Sequence, residues 1–198
     1  AGSKGLTALG WGVWGDSVPP GHARMTITPA WIIATGRLRL TPVGYWDLRD
    51  LVRLKSDPRA YALMLGGVRS ASQVAEELAH EIQDWGRYGF GVWAVRAHRG
   101  KFLGIVALQH RPDGLGVALR FAMLPDVRGA GLAVEAAGAA RRFGHEVAGL
   151  PRIVAVARES NFASRAVLGA IGMSECARFP RLGETMLIYQ SVCYTDEG

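Results

Sequence analysis

Changes in the spacing of hydrophobic residues divide the first half of the chain into predicted elements. Residues 36–42 (GRLRLTP) alternate polar and apolar side chains, which predicts a strand. Within residues 45–55, apolar side chains and Lys55 recur at helical spacing, which predicts a helix. A second helix is predicted to begin after Ser70, because Ser70 and Gln73 have the spacing of a capping box. Its apolar stripe is formed by Val74, Leu78, Ile82 and Trp85.

Three acidic residues lie on another face of the second predicted helix, namely Glu77, Glu81 and Asp84. Such a face could attract a cationic substrate, but charged residues on one side of a helix most often face solvent. We therefore expect a solvated helix face.

From Gly89 onward the spacing changes to that of strands. Residues 89–96 and 101–109 flank the turn AHRG, which predicts a β-hairpin, and residues 117–124 predict a third strand. No repeat, linker or low-complexity segment interrupts the chain, so we expect one mixed α/β (α+β) domain. The remaining predicted elements are a helix over 132–146, a buried strand over 152–157, a helix from Asn161 that Gly172 ends, and strands over 174–180 and 184–192.

The composition is that of an ordinary folded domain with a basic balance of charge. Of the 198 residues, 49% are hydrophobic and 20% are charged, and the net charge is +6. The positive charge favours an acidic ligand such as a nucleotide or a phosphate ester, although only weakly. A nucleic-acid-binding module is disfavoured, because the arginines are dispersed and no basic run or reading motif is present.

The two cysteines, Cys176 and Cys193, are too few for a disulfide framework or a cysteine-based zinc site. We interpret both as core or edge residues of late strands, not as acyl-carrying nucleophiles.

No uncharged stretch reaches the ~18 apolar residues that a membrane span requires. We expect a reducing, cytoplasmic location and no membrane partner.

Residues 1–24 are interpreted as an N-terminal extension, and residues 25–198 as the domain. The extension is too rich in glycine for the apolar core of a signal peptide, and its opening AGS resembles a cloning remnant. Met25 fits a natural start. The extension is expected to be loosely ordered, unless Trp11 and Trp14 dock on a neighbouring surface.

The stretch VRGAGLAVEAAGAARRF, residues 127–143, joins a glycine-rich turn to an alanine-rich helix. The free N–H groups at a helix N-terminus bind anions, and glycine lets the backbone approach them, so a phosphate site is predicted. The turn is not a Walker A loop, since no Gly-Lys-Ser/Thr follows. It also matches the glycine-rich fingerprint of dinucleotide-binding proteins poorly, because Val134 occupies the position of the third glycine. A tight strand–helix turn without a ligand is the alternative.

Two motifs give the chain a resemblance to the GNAT N-acetyltransferase superfamily. Arg128, Gly131 and Ala133 match its arginine-x-x-glycine-x-glycine/alanine signature, and NFASRAVLGAIGM resembles its asparagine-x-x-serine helix. The residues TGRLRLTP look like the first strand of the family, and the elements between arrive in the same order. The resemblance covers about residues 32–192 and is greatest to the ribosomal-protein N-terminal (alanine) acetyltransferase type.

This resemblance implies a single domain with a central mixed, mostly antiparallel sheet that is splayed at the cofactor site and flanked by helices. It implies that acetyl-CoA, without a metal, lies with its pyrophosphate over the N-terminus of the 132–146 helix. The backbone of Met123 and Leu124 would pair with the pantetheine arm, and Arg165 could reach a phosphate. The backbone N–H groups at the phosphates would come from Arg128, Gly129, Ala130, Gly131, Leu132 and Ala133.

The resemblance also implies roles in acetyl transfer. A backbone N–H near Met123 would polarise the thioester carbonyl. In the resembled type the serine, here Ser164, is positioned to protonate the CoA sulfur, and Asn161 holds the pantetheine. Many relatives instead carry a tyrosine general acid four residues after the serine, where this chain has Leu168. An ordinary helix cap at Asn161 and a first-turn polar residue at Ser164 are the alternatives.

The general base is not identified by the sequence. Relatives often carry a glutamate where this chain has Ala118, and Arg120 and Phe121 replace a common Gly-Tyr pair. An α-amino group of pKa ~7.7–8.0 needs less help from a base than a lysine of pKa ~10.4, so the missing glutamate favours a low-pKa amine or an inactive relative. A base could still come from Glu135, Glu159, His110 or a water chain.

The resulting hypothesis is an acetyl-CoA-dependent N-acetyltransferase that transfers the acetyl group directly to a primary amine. The acceptor is a protein N-terminal α-amino group or a small-molecule amine. A non-catalytic acyl-CoA-binding or regulatory domain is the alternative. The resemblance also allows a homodimer, and no nucleic-acid partner is expected.

Overall fold

The structure is a computed structural model, and it describes residues 27–193. The predicted extension and the Met25 start lie outside the described residues. The helices are α1 (Leu48–Lys55), α2 (Pro58–Tyr61), α3 (Ala71–Tyr88), α4 (Leu132–Glu146) and α5 (Phe162–Ala170). The strands are β1 (Ile33–Ala34), β2 (Leu38–Pro42), β3 (Val92–Ala97), β4 (Phe102–His110), β5 (Val117–Met123), β6 (Arg152–Arg158), β7 (Ser174–Arg181) and β8 (Glu184–Val192).

All eight strands form one sheet in the order β1-β2-β3-β4-β5-β6-β8-β7. Every neighbouring pair is antiparallel except β5 and β6, which are parallel and are joined through α4. The predicted fold class, a mixed and mostly antiparallel sheet flanked by helices, is confirmed.

The two central strands β5 and β6 pair over a very short length. Val117 lies opposite Ile153 and Ala118 opposite Val154, and the pairing ends there. The sheet is therefore splayed between the remainder of β5 and β6.

Helix α4 packs closely on the sheet because the side chains facing it are small. Ala136, Ala137 and Ala140 are fully buried. Gly144 allows the closest approach, since an added Cβ would lie only 2.6 Å from Ile153 Cδ1 and 2.9 Å from Leu108 Cδ1. The alanine-rich pattern thus fixes the distance between this helix and the strands beneath it.

Helices α1 and α3 hold a buried ion pair that the sequence pattern did not predict. Lys55 Nζ donates to Glu81 Oε1 at 2.7 Å and to Glu77 Oε2 at 2.9 Å, and the Lys55 side chain is 1% exposed. Burial alone would lower the pKa of Lys55, but the charge of Glu81 and the hydrogen bonds to Glu81 and Glu77 together outweigh it and raise that pKa. The expectation of a solvated acidic face is wrong for Glu81, which Lys55 draws into the interior.

Helix α4 is also tied to the first strands through Glu135. Its carboxylate accepts from Thr35 Oγ1 at 2.5 Å, from the Arg37 N–H at 2.8 Å and from Arg37 Nε at 2.6 Å. Arg37 Nη1 then donates to the Ala130 carbonyl at 2.7 Å. Partial burial alone would raise the pKa of Glu135, but these hydrogen bonds outweigh it and hold the pKa below its usual value. The network fixes the turn before α4 against the turn between β1 and β2.

In residues 27–193, no helix combines the length and the apolar character needed to cross a membrane. Cys176 lies on β7 at the edge of the sheet, and both Cys176 and Cys193 are exposed.

Replacing Lys55 by methionine should destabilise the protein by about 3–5 kcal/mol, because Glu81 is left as an uncompensated buried charge. The double variant Lys55→Met/Glu81→Met should recover most of this loss, since both charges are removed. Urea unfolding at neutral pH measures the free energies, with Arg49→Ala on the exposed side of α1 as the control. A double variant as unstable as Lys55→Met would contradict the assignment.

A Glu135→Gln variant should be less stable than the parent protein at pH 7, by about 1 kcal/mol. The lowered pKa means that Glu135 stabilises the fold above about pH 4.3 and that this stabilisation is lost as the pH falls further. The difference in unfolding free energy should therefore close between pH 5 and pH 3. Thermal melts over this range test it, with the exposed Glu76→Gln as control, and a difference independent of pH would refute the network's role.

Candidate functional site

Two open cavities meet at the N-terminus of α5. The first, the α4 groove, has a volume of about 360 Å³ and runs along Met123 and the turn before α4. The second, the hairpin cleft, has a volume of about 740 Å³ and lies beside the β4–β5 hairpin. The residues that line both cavities are Leu63, Met64, Phe121, Asn161 and Ser164. Ligands in the two cavities would therefore face each other at this junction.

The backbone of Met123 faces the space between β5 and β6. The Leu124 N–H donates to the Leu103 carbonyl on β4 at 2.8 Å, and the Leu124 carbonyl accepts from Val127 at 3.2 Å. Because successive residues of a strand direct their N–H and C=O groups to opposite sides, Met123 directs its groups away from β4. The splayed strand thus offers the Met123 backbone to a ligand. Contrary to the expectation for Leu124, both of its main-chain groups are already bonded within the protein.

The turn before α4 leaves the end of the helix open. Gly129 and Gly131 adopt left-handed φ angles of +85° and +71°, which few other residues tolerate. Gly131 is the N-cap without a side-chain cap, and the first bond within the helix runs from the Glu135 N–H to the Gly131 carbonyl. The N–H groups of the first turn therefore have no acceptor within the helix. They belong to Leu132, Ala133 and Val134, which line the α4 groove.

Two residues of the predicted phosphate turn have other contacts. The Arg128 guanidinium donates to the Arg59 carbonyl at 2.6 Å, so its side chain holds the turn to α2 while Arg128 lines the groove. Ala130 binds Arg37 through its carbonyl and lies outside the groove lining. The glycines and the helix end, rather than these two side chains, form the wall that an anion would meet.

Helix α5 begins at the junction of the two cavities. Asn161 Oδ1 accepts from the Ser164 N–H at 3.1 Å, so the N-cap interpretation of Asn161 is confirmed. The Ser164 hydroxyl makes no hydrogen bond within the described part of the chain. One turn further on, Leu168 is buried and lines the hairpin cleft, where it offers no polar group. Ser164 is thus the hydroxyl that α5 brings to the junction.

Arg165 does not line the α4 groove, and its predicted contact with a phosphate stays a prediction. Its Nη1 donates to the Glu159 carbonyl at 2.8 Å, and its guanidinium lies over the Phe162 ring. Consecutive residues of a helix are about 100° apart around its axis, so Arg165 and Ser164 face different directions.

The structure separates the base candidates. Glu135 is bound to Thr35 and Arg37, and it lines neither cavity. Glu159 is exposed beside Arg178, with 3.7 Å between the charged atoms, and it also lies outside both cavities. His110 lines the hairpin cleft, and its ring lies 4.5 Å from that of Tyr88. Only His110 of these three side chains faces the space where an acceptor could bind.

Two lining residues of the hairpin cleft, Asp84 and Arg120, were named from the sequence but not assigned to the site. Asp84 lies on α3 and also lines the cleft. Burial raises the pKa of Asp84, although the charges of His80, Arg87 and His110 act in the opposite direction. Arg120 follows Ala118 by two residues on β5 and therefore shares its face of the sheet. That spacing could have identified Arg120, whereas Asp84 required the tertiary structure. Within residues 27–193 no cluster of three or more His, Cys, Asp or Glu residues could hold a metal ion.

Comparisons with known proteins agree with this geometry. The family model described as "Acetyltransferase (GNAT) domain" matches residues 37–174, more than half of the chain. The chain is 27% identical over 169 residues to FsC-acetyl coenzyme A-N(2)-transacetylase of Aspergillus fumigatus, covering 78% of this chain and 70% of that protein.

Solved structures give the same result for the fold. An acetyltransferase of Agrobacterium tumefaciens superimposes with a TM-score of 0.72 at 26% identity, covering 81% of this chain and 93% of that one. Ribosomal-protein-S5-alanine acetyltransferase of Vibrio fischeri gives a TM-score of 0.69 at 14% identity, with coverages of 81% and 96%.

The resemblance carried by the RGAGLA turn and the NFAS helix is therefore confirmed. The chain belongs to the GNAT acetyltransferase family and is an acetyl-CoA-dependent acyltransferase.

Proposed function

We propose that this chain transfers the acetyl group of acetyl-CoA directly to a primary amine, with both substrates bound at once. The observation that carries the proposal is the junction at Ser164, where the α4 groove and the hairpin cleft meet. One cavity suits the acetyl donor and the other an acceptor, so no acyl-enzyme is required. Cys176 on β7 and Cys193 just after β8 line neither cavity, which agrees with direct transfer.

The α4 groove is proposed to bind the donor. The open N–H groups of Leu132, Ala133 and Val134 lie at the positive end of the helix dipole, where they would bind the pyrophosphate. The pantetheine arm would then follow β5, with an amide N–H that donates to the Met123 carbonyl. The Glu135 network supports this role by fixing the turn that presents these groups.

The reaction needs three kinds of help, and the junction offers groups for two of them. The Met123 N–H would stabilise the oxygen of the thioester carbonyl as the amine attacks. The bond between carbon and sulfur then breaks, and Ser164 would pass a proton to the departing thiolate while it takes one from water, so that the hydroxyl is restored. The proton lost by the attacking nitrogen must leave by another route.

His110 is proposed to accept that proton through water, because it is the base candidate that lines the hairpin cleft. Asp84, which lines the same cleft, would stabilise the resulting imidazolium. With Ala118 in place of a glutamate, proton removal depends on a group near the entrance of the cleft. An acceptor whose amine is already partly neutral, such as a protein α-amino group or a small-molecule amine of similar pKa, suits this arrangement.

Replacing Ser164 by alanine should lower kcat by about ten- to a hundredfold while CoA binding stays nearly unchanged, because only the proton donor is lost. A thiol-release assay with acetyl-CoA and a panel of N-terminal peptides, amino acids, polyamines and aminoglycosides gives the rates. Calorimetry with CoA gives the affinity. Ser174→Ala, on the exposed face of β7, is the matched control. Full turnover of the Ser164 variant with every active amine would exclude this role.

Replacing His110 by glutamine should slow turnover about tenfold or more at pH 7. The loss should be greater for acceptors of high pKa, and it should shrink as the pH rises to 9, because the amine then loses its proton without a base. Rates across this pH range test the role, with His98→Gln in the exposed β3–β4 turn as control. Equal losses for all acceptors at all pH values would indicate a structural effect instead.

A further inference from the structure

The hairpin cleft contains more arginine than its acidic residues can neutralise. Three of its arginines are committed to ion pairs: Arg69 with Glu77, Arg111 with Asp113, and Arg158 with Glu184. Two others, Arg120 and Arg181, have no carboxylate within 4.0 Å among residues 27–193.

Arg120 is the one of these two that lies deep in the site. It is half-buried in the middle of β5, and its hydrogen bond within the described residues is a long one, 3.4 Å from Nη1 to Gln109 Oε1. Gln109 is neutral, so the charge of Arg120 is not compensated by this contact. Arg181 is exposed at the end of β7 and adds positive charge at the rim.

The acidic residues near Arg120 do not offset it. A smaller cavity of about 200 Å³ adjoins the cleft at Arg120 and is also lined by Glu77 and Glu81. Both of those carboxylates are bound to Lys55, as described above. Asp84 is the remaining carboxylate of the cleft outside any ion pair in the described chain, and its single charge cannot neutralise both Arg120 and Arg181. The uncommitted charge of the cleft is therefore positive.

The position of Arg120 relates this charge to the reaction. Arg120 precedes Met123 by three residues on β5, which is about 10 Å along the strand. A guanidinium binds a carboxylate through two parallel hydrogen bonds, and more strongly where water is partly excluded. About three residues of an extended peptide span this distance, so the long side chains of Arg120 and of a glutamate near the amine, or one small molecule, can bridge it.

We propose that Arg120 forms a subsite for a carboxylate carried by the acceptor, close to its reacting amine. The acceptor class is thus an acidic amine, either a peptide with Asp or Glu near its N-terminus or a free amino acid, and not a polyamine. This inference rests on the proposed function, because it assigns the hairpin cleft to the acceptor.

The test compares two peptide amides that differ only in glutamate or glutamine at the second position. The glutamate peptide should have a kcat/KM about tenfold higher or more. Arg120→Gln should remove this preference by raising KM for the glutamate peptide, with kcat unchanged and with little effect on the glutamine peptide. Arg120→Lys should restore part of the preference, because lysine keeps the positive charge but lacks the planar guanidinium that forms two parallel hydrogen bonds. The control is Arg39→Gln, an exposed arginine of β2.

Two further arms of the test identify the acceptor. A free amino acid compared with its amide distinguishes a small molecule from a peptide, and spermidine represents the cationic class. Equal rates for the glutamate and glutamine peptides, a preference for spermidine, or equal losses for both peptides in Arg120→Gln would each overturn the subsite.

Calorimetric binding of both peptides to the CoA-loaded protein separates this inference from the proposed function. Arg120-dependent binding of the glutamate peptide without turnover would support the subsite and contradict the transferase. Turnover of amines without any preference for a carboxylate would leave the transferase and remove the subsite.

Discussion

The separation of β5 from β6 is the constraint on which the site depends. In a complete sheet the backbone of Met123 would bond to the next strand, and no ligand could reach it. Here the parallel pairing ends at Ala118 and Val154, so the last part of β5 keeps polar groups that need partners. The start of α5 lies across the resulting opening and brings Ser164 to it. The same gap thus creates both a binding surface and the place of reaction.

The connection between these strands explains why an anion site lies at the same opening. A parallel pair needs a crossover, and the crossover from β5 to β6 is α4. The helix must therefore begin near the carboxyl end of β5, the end at which the strands part. Glycines in left-handed conformation turn the chain there, and Glu135 is held by Thr35 and Arg37 instead of capping the helix. The positive end of the helix dipole remains directed at the groove.

The elements were predictable from the sequence because their signals are local. The capping box at Ser70, the alanine-rich pattern of α4 and the N-cap at Asn161 each depend on residues a few positions apart, and all three helices form where predicted. Contacts between distant residues were not predictable. Lys55 reaches Glu81 only after α1 packs on α3, and Arg165 turns to the Glu159 carbonyl, although its neighbour Ser164 faces the groove. The motifs therefore indicated the donor, whereas the acceptor side depends on residues that only the fold assembles.

A crystal structure of the protein with CoA tests the central claim most directly. The predicted result is a pyrophosphate bonded to the N–H groups of Leu132, Ala133 and Val134, a pantetheine amide paired with Met123, and the sulfur within hydrogen-bonding distance of Ser164 Oγ. CoA bound outside the gap between β5 and β6, or bound there with its sulfur remote from Ser164, would contradict it.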